Sequence, residues 1–349
     1  MTDDPRRPGA SRRRRTITLV LGGSVLAAVI GGVVGGLIVR ATWGSGNASS
    51  SGDTTGACPA TSVSDKALPS VVTVRAGASS GSGVVIRTGG YILTNNHVIS
   101  AVANGGPLSI QRSDGETTDA TLVGRDTLTD LAVIKATDSS ELPTIVLGKS
   151  ESLAVGEPVV ALGSPLGLTS TVTGGIVSAL DRYVRVPGGD GQAAHLVGAI
   201  QTDASINPGN SGGALVDCAA QLVGINTAGA TVATSGGGSI GLGFAIPIDL
   251  ADEIASELID TGKVTRPSFG MQVYAVPAGL FVTAVASGGP ADAAGLRPGD
   301  VIVEIDGEQA HGVDALVVRT LKMSAGDTVQ LTYMRQGARH STTLTLASG

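Results

Sequence analysis

Thr94-Asn95-Asn96-His97-Val98, Asp130-Leu131-Ala132-Val133 and Gly209-Asn210-Ser211-Gly212-Gly213 are the three short stretches on which the reading of this chain turns. They supply an imidazole, a carboxylate and a hydroxyl, in that order along the sequence. A serine hydroxyl is a weak nucleophile until a base takes its proton during attack, and imidazole, whose pKa lies near neutrality, is the usual base. A carboxylate then holds the imidazole in the productive tautomer and stabilises the imidazolium. His97, Asp130 and Ser211 are therefore the candidate catalytic residues of an acyl transfer. Gly209, Asn210 and Ser211 form the candidate oxyanion site. Backbone N–H groups there converge on one point only if the chain turns sharply at Gly209, and such a donor is worth roughly 3–4 kcal/mol in the transition state. Each stretch alone could be a turn or a strand end; the three together, in this order and in a β-rich context, are specific.

The β context comes from the rest of the chain. At 349 residues it suits two domains with appendages. Aromatic residues make up 2%, so the core is built from Val, Ile, Leu and Ala, and 52 glycines favour turns over long helices. Short apolar runs separated by turn residues occur at 70–75, 83–87, 91–94, 119–123, 132–135, 158–161, 197–202, 222–225 and 243–246. With no regular strand–helix alternation, they predict a closed or paired all-β body. One helix is expected over 249–260, with Gly262 as its stop. After a short linker the pattern restarts: strands at 271–275 and 281–285, a short helix at 291–294, and a hairpin turning at Asp306-Gly307. A helix at 313–323 and strands at 328–335 and 341–346 complete it.

The net charge of −6 conceals an asymmetry. Residues 1–15 hold six arginines against Asp3 and Asp4, a balance of +4, which leaves −10 on the remainder and argues against a nucleic-acid partner. Thr16 to Val39 then runs without a charge, long enough to span a bilayer, and the arginine block orients it with the C-terminal body outside. The expected organisation is thus 1–15 cytoplasmic, 16–39 a retained transmembrane signal anchor, 40–65 a flexible Gly/Ser/Thr linker, 66–263 the first globular domain and 267–349 the second. Both cysteines, Cys58 and Cys218, fall on the outer side, where an oxidising compartment favours a disulfide between them over two separate thiols. His195, His311 and His340 lack ligand spacing, so no metal site is expected. Gly236–Gly241 fits a dinucleotide fingerprint literally, but a strand follows it rather than a helix, and no cofactor is expected.

From about residue 66 onward the sequence resembles the HtrA (high-temperature-requirement) family of trypsin-like serine proteases with C-terminal PDZ domains. The resemblance rests on Thr94–Val98, Asp126-Thr127-Leu128-Thr129-Asp130-Leu131-Ala132-Val133, Gln201–Gly213 and Gly241-Leu242-Gly243-Phe244-Ala245-Ile246-Pro247. It implies a mainly β fold: a chymotrypsin-like double β-barrel of two six-stranded barrels with the active site between them, followed by one PDZ domain. Arg266-Pro267-Ser268-Phe269-Gly270-Met271 resembles the family's carboxylate-binding loop, making Phe269, Gly270 and Met271 candidate contacts for a peptide C-terminus that adds as a strand. Gly289-Pro290-Ala291 and Gly295–Ile302 are the other marks of that domain.

Two departures from digestive trypsin-like enzymes carry consequences. Asn210 replaces the Asp that pairs with a newly cut N-terminus, so activation by propeptide cleavage is not expected. Ser205 stands where trypsin keeps an Asp, and with Ile206 beside it the first pocket should take small or medium apolar side chains; Ala228, Gly229 and Ala230 are the other candidate substrate-binding positions. The expectation is a membrane-anchored extracytoplasmic endopeptidase that cleaves unfolded or damaged proteins through an acyl-enzyme at Ser211, regulated by the PDZ domain. The alternatives are a latent protease acting as a PDZ chaperone or scaffold, and a narrow signalling protease. The family trimerises through aromatic contacts near the start of the protease body. No Phe, Tyr or Trp occurs between Trp43 and Tyr91 here, which leaves homo-oligomerisation open.

Overall fold

Strands buried on both faces explain why the apolar runs are continuous rather than alternating. In the computed structural model, which describes residues 58–164, 171–189, 191, 193–227, 239 and 241–349, a helix α1 (Ala60–Ala67) leads into two closed barrels of six antiparallel strands. The first contains β1 (Val71–Ala76), β2 (Ser79–Arg87), β3 (Tyr91–Asn95), β4 (Leu108–Gln111), β5 (Thr117–Asp126) and β6 (Leu131–Ala136) in the order β1-β2-β3-β6-β5-β4. The second contains β7 (Pro158–Gly163), β8 (Thr171–Pro187), β9 (Ala193–Thr202), β10 (Ala214–Val216), β11 (Leu222–Thr227) and β12 (Gly243–Pro247), ordered β10-β11-β12-β9-β8-β7. The two-barrel architecture implied by the resemblance is therefore present.

Successive residues divide between two cores. Val72, Val74, Ile92, Ala132 and Ile134 fill the first barrel, and Val159, Ala161, Leu215, Val223 and Ala245 the second. Their immediate neighbours Val71, Leu93, Leu131, Val133, Val160, Leu162, Ala214, Val216, Leu222 and Ile246 face the seam between the barrels. Period-two alternation is intact, but both faces are apolar, so the sequence reads as uninterrupted Val/Ile/Leu.

The seam is closed by α2 (Ile248–Thr261), which buries Ile248, Ala251, Ile254, Ala255 and Leu258 against it. Gly262 ends the helix in the left-handed region (φ 76°), its N–H donating to the Leu258 carbonyl at 2.9 Å. The linker expected over 40–65 ends earlier than anticipated. Residues 60–65 belong to α1, whose Val63 and Ala67 are buried in the seam, because two apolar residues four apart suffice to dock one short helix face. The expected disulfide is present: Cys58 and Cys218 are bonded, with Cα atoms 5.0 Å apart, pinning the chain ahead of α1 to the turn between β10 and β11. The expected span, 16–39, lies outside the described residues. Among the described residues no helix is long and apolar enough to cross a membrane.

The C-terminal region forms a separate sheet. Its elements are β13 (Pro267–Ser268), β14 (Met271–Val276), β15 (Gly279–Val285), α3 (Pro290–Ala293), β16 (Val301–Ile305), β17 (Glu308–Gln309), α4 (Asp314–Lys322), β18 (Thr328–Arg335), β19 (Ala338–Thr345) and β20 (Ala347–Ser348). Strands β14-β15-β16-β18-β19 make one sheet, while β13 and β20 pair with each other. The Asp306-Gly307 turn has both residues at positive φ (53° and 81°), the hairpin geometry that this dipeptide favours.

Reducing the Cys58–Cys218 bond, which closes a separation of 160 residues, should lower unfolding stability by about 2–5 kcal/mol. Urea unfolding of the oxidised and reduced protein reads this directly, and Cys218→Ser should reproduce the reduced curve.

Candidate active site

The first barrel contributes the base and the carboxylate. His97 lies in the helical turn Asn96–Ile99 that follows β3. Asp130 sits at the foot of β6, fully buried, with φ at +61°. A left-handed conformation is uncommon outside glycine, and Asp is among the few residues that tolerate it. Here it is held from several sides. The Asp130 carbonyl accepts from Asn96 N and Asn95 Nδ2, both at 3.0 Å. One carboxylate oxygen accepts from His97 N at 2.9 Å; the other lies 2.7 Å from His97 Nδ1 and accepts from Thr227 Oγ1 at 3.3 Å. With Nδ1 engaged by the carboxylate, the ring proton resides there and Nε2 presents its lone pair.

The second barrel contributes the hydroxyl. Ser211 is 4% exposed, in the turn ahead of β10. The turn is forced by its glycines: Gly209 has φ 102° and Gly212 φ 81°. A Cβ at Gly212 would collide with the Ser82 carbonyl oxygen, and one at Gly213 with that of Leu162. Ser82 N donates to the Ser211 carbonyl at 2.8 Å, and a Cβ placed on Gly81 would meet both Val98 and that same carbonyl. The hydroxyl-bearing turn and the His97 turn thus pack on one strand, β2.

Asn210 N donates to Asn207 O at 3.0 Å and its Nδ2 to Ser205 O at 3.3 Å, so Asn210 spends its polar groups shaping the turn. The backbone N–H groups of Gly209 and Ser211 are then the candidate oxyanion donors. Ser205 also accepts from Thr173 Oγ1 at 3.0 Å. Ile206 is packed into the second barrel's core, where a side chain at Gly243 would strike it. Ala228, Gly229 and Ala230 lie outside the described residues.

Sequence reasoning passed over Ser82. Its hydroxyl donates to the Gly209 carbonyl at 2.6 Å and accepts from Ser164 N at 2.8 Å, while Thr94 Oγ1 donates to its carbonyl at 2.7 Å. It ties both barrels to the turn that carries Ser211. A signal existed: Gly81-Ser82-Gly83 is a polar residue between two glycines in an otherwise apolar strand. Asn226, whose N and O clasp Gly213 and Gly212, and Thr227, beside Asp130, were likewise missed.

In the C-terminal sheet, Phe269 is buried and Gly270 has φ 68°, where a Cβ would press on Pro290. Gly270 N donates to Ser268 Oγ at 3.1 Å, and Met271 opens β14 by pairing with Val285. Between β14 and α4 lies a cavity of about 590 Å³, lined by Phe269, Met271, Val273, Leu316, Val317 and Thr320 among others.

A double β-barrel with an imidazole–carboxylate pair beside a Gly-constrained serine defines the trypsin-like serine peptidase class. Family models agree: residues 81–225 match the trypsin-like peptidase domain and residues 267–346 the PDZ domain. The chain is 41% identical over 356 residues to the serine protease PepD of Mycobacterium tuberculosis, covering 93% of this chain and 77% of that one. It is 40% identical over 271 residues to the periplasmic pH-dependent serine endoprotease DegQ of Escherichia coli, covering 74% of this chain and 57% of that one. Among solved structures, the HtrA-type protease AlgW with decapeptide matches 83% of this chain and 98% of its own, at 34% identity and TM-score 0.63. The serine endoprotease from Yersinia pestis matches at 35% identity and TM-score 0.61, over 83% of this chain and 97% of its own. The chain belongs to the HtrA family of serine proteases, with a C-terminal PDZ domain.

Ser82→Ala removes the hydroxyl that fixes Gly209 and should lower kcat about tenfold or more, with KM little changed, since a buried bond of this kind is worth roughly 1–3 kcal/mol. Steady-state kinetics on a peptide substrate checks it. His195 on β9 donates its backbone N–H to the Leu128 carbonyl, next to Asp130, at 2.7 Å, and its Nδ1 lies 2.7 Å from the Tyr183 hydroxyl. Burial pushes the His195 imidazole below its ordinary value, against the opposing pull of Asp314, with Arg185 adding to the depression. Burial likewise raises the Tyr183 phenol to about 12, so it stays protonated. The folded state therefore refuses a proton that the unfolded chain takes up near pH 6.5, and stability falls as pH drops through that value. Thermal unfolding at pH 7.5 and 5.5 should show a smaller loss in His195→Gln than in the parent.

Proposed function

We propose that this HtrA-family protein is an endopeptidase that cleaves unfolded or damaged proteins outside the cytoplasm, held to the membrane by residues 16–39. The observation that carries the catalytic part is the buried Asp130–His97 contact, completed by Thr227 from the opposite barrel. Ser211 attacks the scissile carbonyl while His97 Nε2 takes its proton. Asp130 keeps Nδ1 protonated and stabilises the imidazolium. The oxyanion is received in the Gly209-Asn210-Ser211 turn, and the leaving amine takes the proton back from His97. Water, activated by the same imidazole, then releases the acyl group from Ser211.

Ser205 and Ile206, the residues assigned to the first pocket, carry no carboxylate to select Lys or Arg, so the pocket favours small or medium apolar side chains; Ala228, Gly229 and Ala230 remain further candidate substrate contacts from the sequence. Phe269, Gly270 and Met271 would receive the C-terminus of a peptide lying along β14, and this site regulates the protease. An extracytoplasmic site of action is supported by the internal disulfide, by the periplasmic relatives and by the charge asymmetry around residues 16–39.

Digestion of reduced, unfolded casein set against a tightly folded protein tests the substrate class. Casein should be cut and the folded protein spared, with Ser211→Ala and His97→Ala each losing on the order of 10⁴-fold or more in kcat. Equal cutting of both substrates would remove the preference for unfolded chains. Casein retained but never cut would favour the latent chaperone instead.

A further inference from the structure

The helical turn that carries His97 begins with an exchange of partners. Asn95, the last residue of β3, stands at the N-cap of the turn Asn96–Ile99, its backbone extended (φ −84°, ψ 146°). An asparagine in that place ordinarily uses its side-chain oxygen to accept from a backbone N–H of the first turn. Asn95 makes no such bond, and its Oδ1 is buried without a hydrogen-bond partner among the described residues. The N–H of His97, second residue of the turn, donates instead to the Asp130 carboxylate at 2.9 Å. The Asn95 amide is turned the other way, and its Nδ2 donates to the Asp130 carbonyl at 3.0 Å. Asp130 thus caps the turn of His97, and Asn95 holds Asp130. The amide cannot be reversed, because its oxygen would then face another oxygen.

We propose that Asn95 is a positioning residue of the peptidase: its amide locks Asp130 in the left-handed conformation that aims the carboxylate at His97, and it does so at a cost in stability. This role presupposes the reading of Asp130 as the group that orients His97. At φ 61° the Asp130 backbone is strained, and its carbonyl is met at the end of β3 by Asn95 Nδ2 and Asn96 N together. A return of Asp130 to negative φ would turn that carbonyl away from both donors and the carboxylate away from the ring. Asn95 supplies the one side-chain donor of the two. Its unpaired oxygen is the cost, since a buried acceptor without a partner destabilises the fold, and an apolar side chain would avoid it. With the amide gone, Asp130 loosens, the 2.7 Å contact to His97 Nδ1 is made less often, and the imidazolium loses stabilisation. The loss falls on the chemical step.

Asn95→Leu, similar in shape, removes the donor and the unpaired oxygen together. In the full chain, acting on a chromogenic peptide, it should lower kcat about tenfold or more and leave KM within about twofold. Its melting midpoint should equal or exceed the parent's. The downfield proton resonance of His97 Nδ1 should broaden or vanish in the variant. On an Asp130→Ala background the same substitution should cost nothing further, because Asn95 acts only through Asp130. Asn95→Ala is the second route should the leucine variant not fold, with the same loss of kcat and the same absence of a further loss beside Asp130→Ala. Parent-like kcat in these variants overturns the proposal, as does an undiminished further loss on the Asp130→Ala background. A folded Asn95→Leu that melts below the parent removes the cost in stability and overturns it too. Full kcat in Asp130→Ala alone would overturn the reading of Asp130 itself, whereas a crippled Asp130→Ala beside an unimpaired Asn95→Leu would overturn only the role of Asn95.

Discussion

A carboxylate sealed from water at the junction of two barrels sets the terms for the rest of this molecule. Asp130 is fully buried, and burying an ionised carboxylate is costly unless its lone pairs are taken up. Its partners come from different places: the backbone and ring of His97 after β3, and the Thr227 hydroxyl at the end of β11. Those partners can meet only if the first barrel's β3–β6 edge and the second barrel's β11 arrive together. The left-handed backbone of Asp130 adds a further demand, met by Asn95 and Asn96 on its carbonyl.

That meeting is enforced by a seam that leaves little room for adjustment. Alternate residues of the central strands enter either a barrel or the seam, so a one-residue slip in any strand would exchange two cores at once. The glycines of the Ser211 turn carry the same logic to the site. Gly212 and Gly213 are required because the carbonyls of Ser82 and Leu162 already occupy the space of a side chain. The Ser82 hydroxyl then fixes Gly209 from the opposite strand. Thr73 and Ser164, hydrogen-bonded at 2.6 Å, continue this buried hydroxyl network away from the site. Catalytic precision here is a property of backbone crowding as much as of the three reactive side chains.

The parts of this architecture with local chemistry could be read from the sequence. The helix expected over 249–260 was legible in its apolar stripe and Gly262, and the Asp306-Gly307 hairpin in its turn residues. His97, Asp130 and Ser211 stood out because nucleophile chemistry needs those side chains in glycine-constrained surroundings. What escaped was non-local. The 17-residue strand β8 was invisible because Val177 and Val186 are its buried apolar residues and three register shifts break its alternation. Strand β10 is three residues long and is specified by its neighbours β7 and β11. Ser82 and Thr227 act through partners distant in sequence, which no spacing rule along one chain reveals. Residues 60–65 read as linker because a helix that docks on two small apolar residues leaves a faint pattern.

All of these constraints converge on one activated hydroxyl. Peptide mapping of the protein after reaction with a fluorophosphonate tests it most directly, because the reagent marks whichever serine the architecture activates. A single adduct is expected, on Ser211, lost when the Asp130–His97 contact is removed by Asp130→Ala. An adduct on another serine, or one on Ser211 that forms equally well without Asp130, would contradict it.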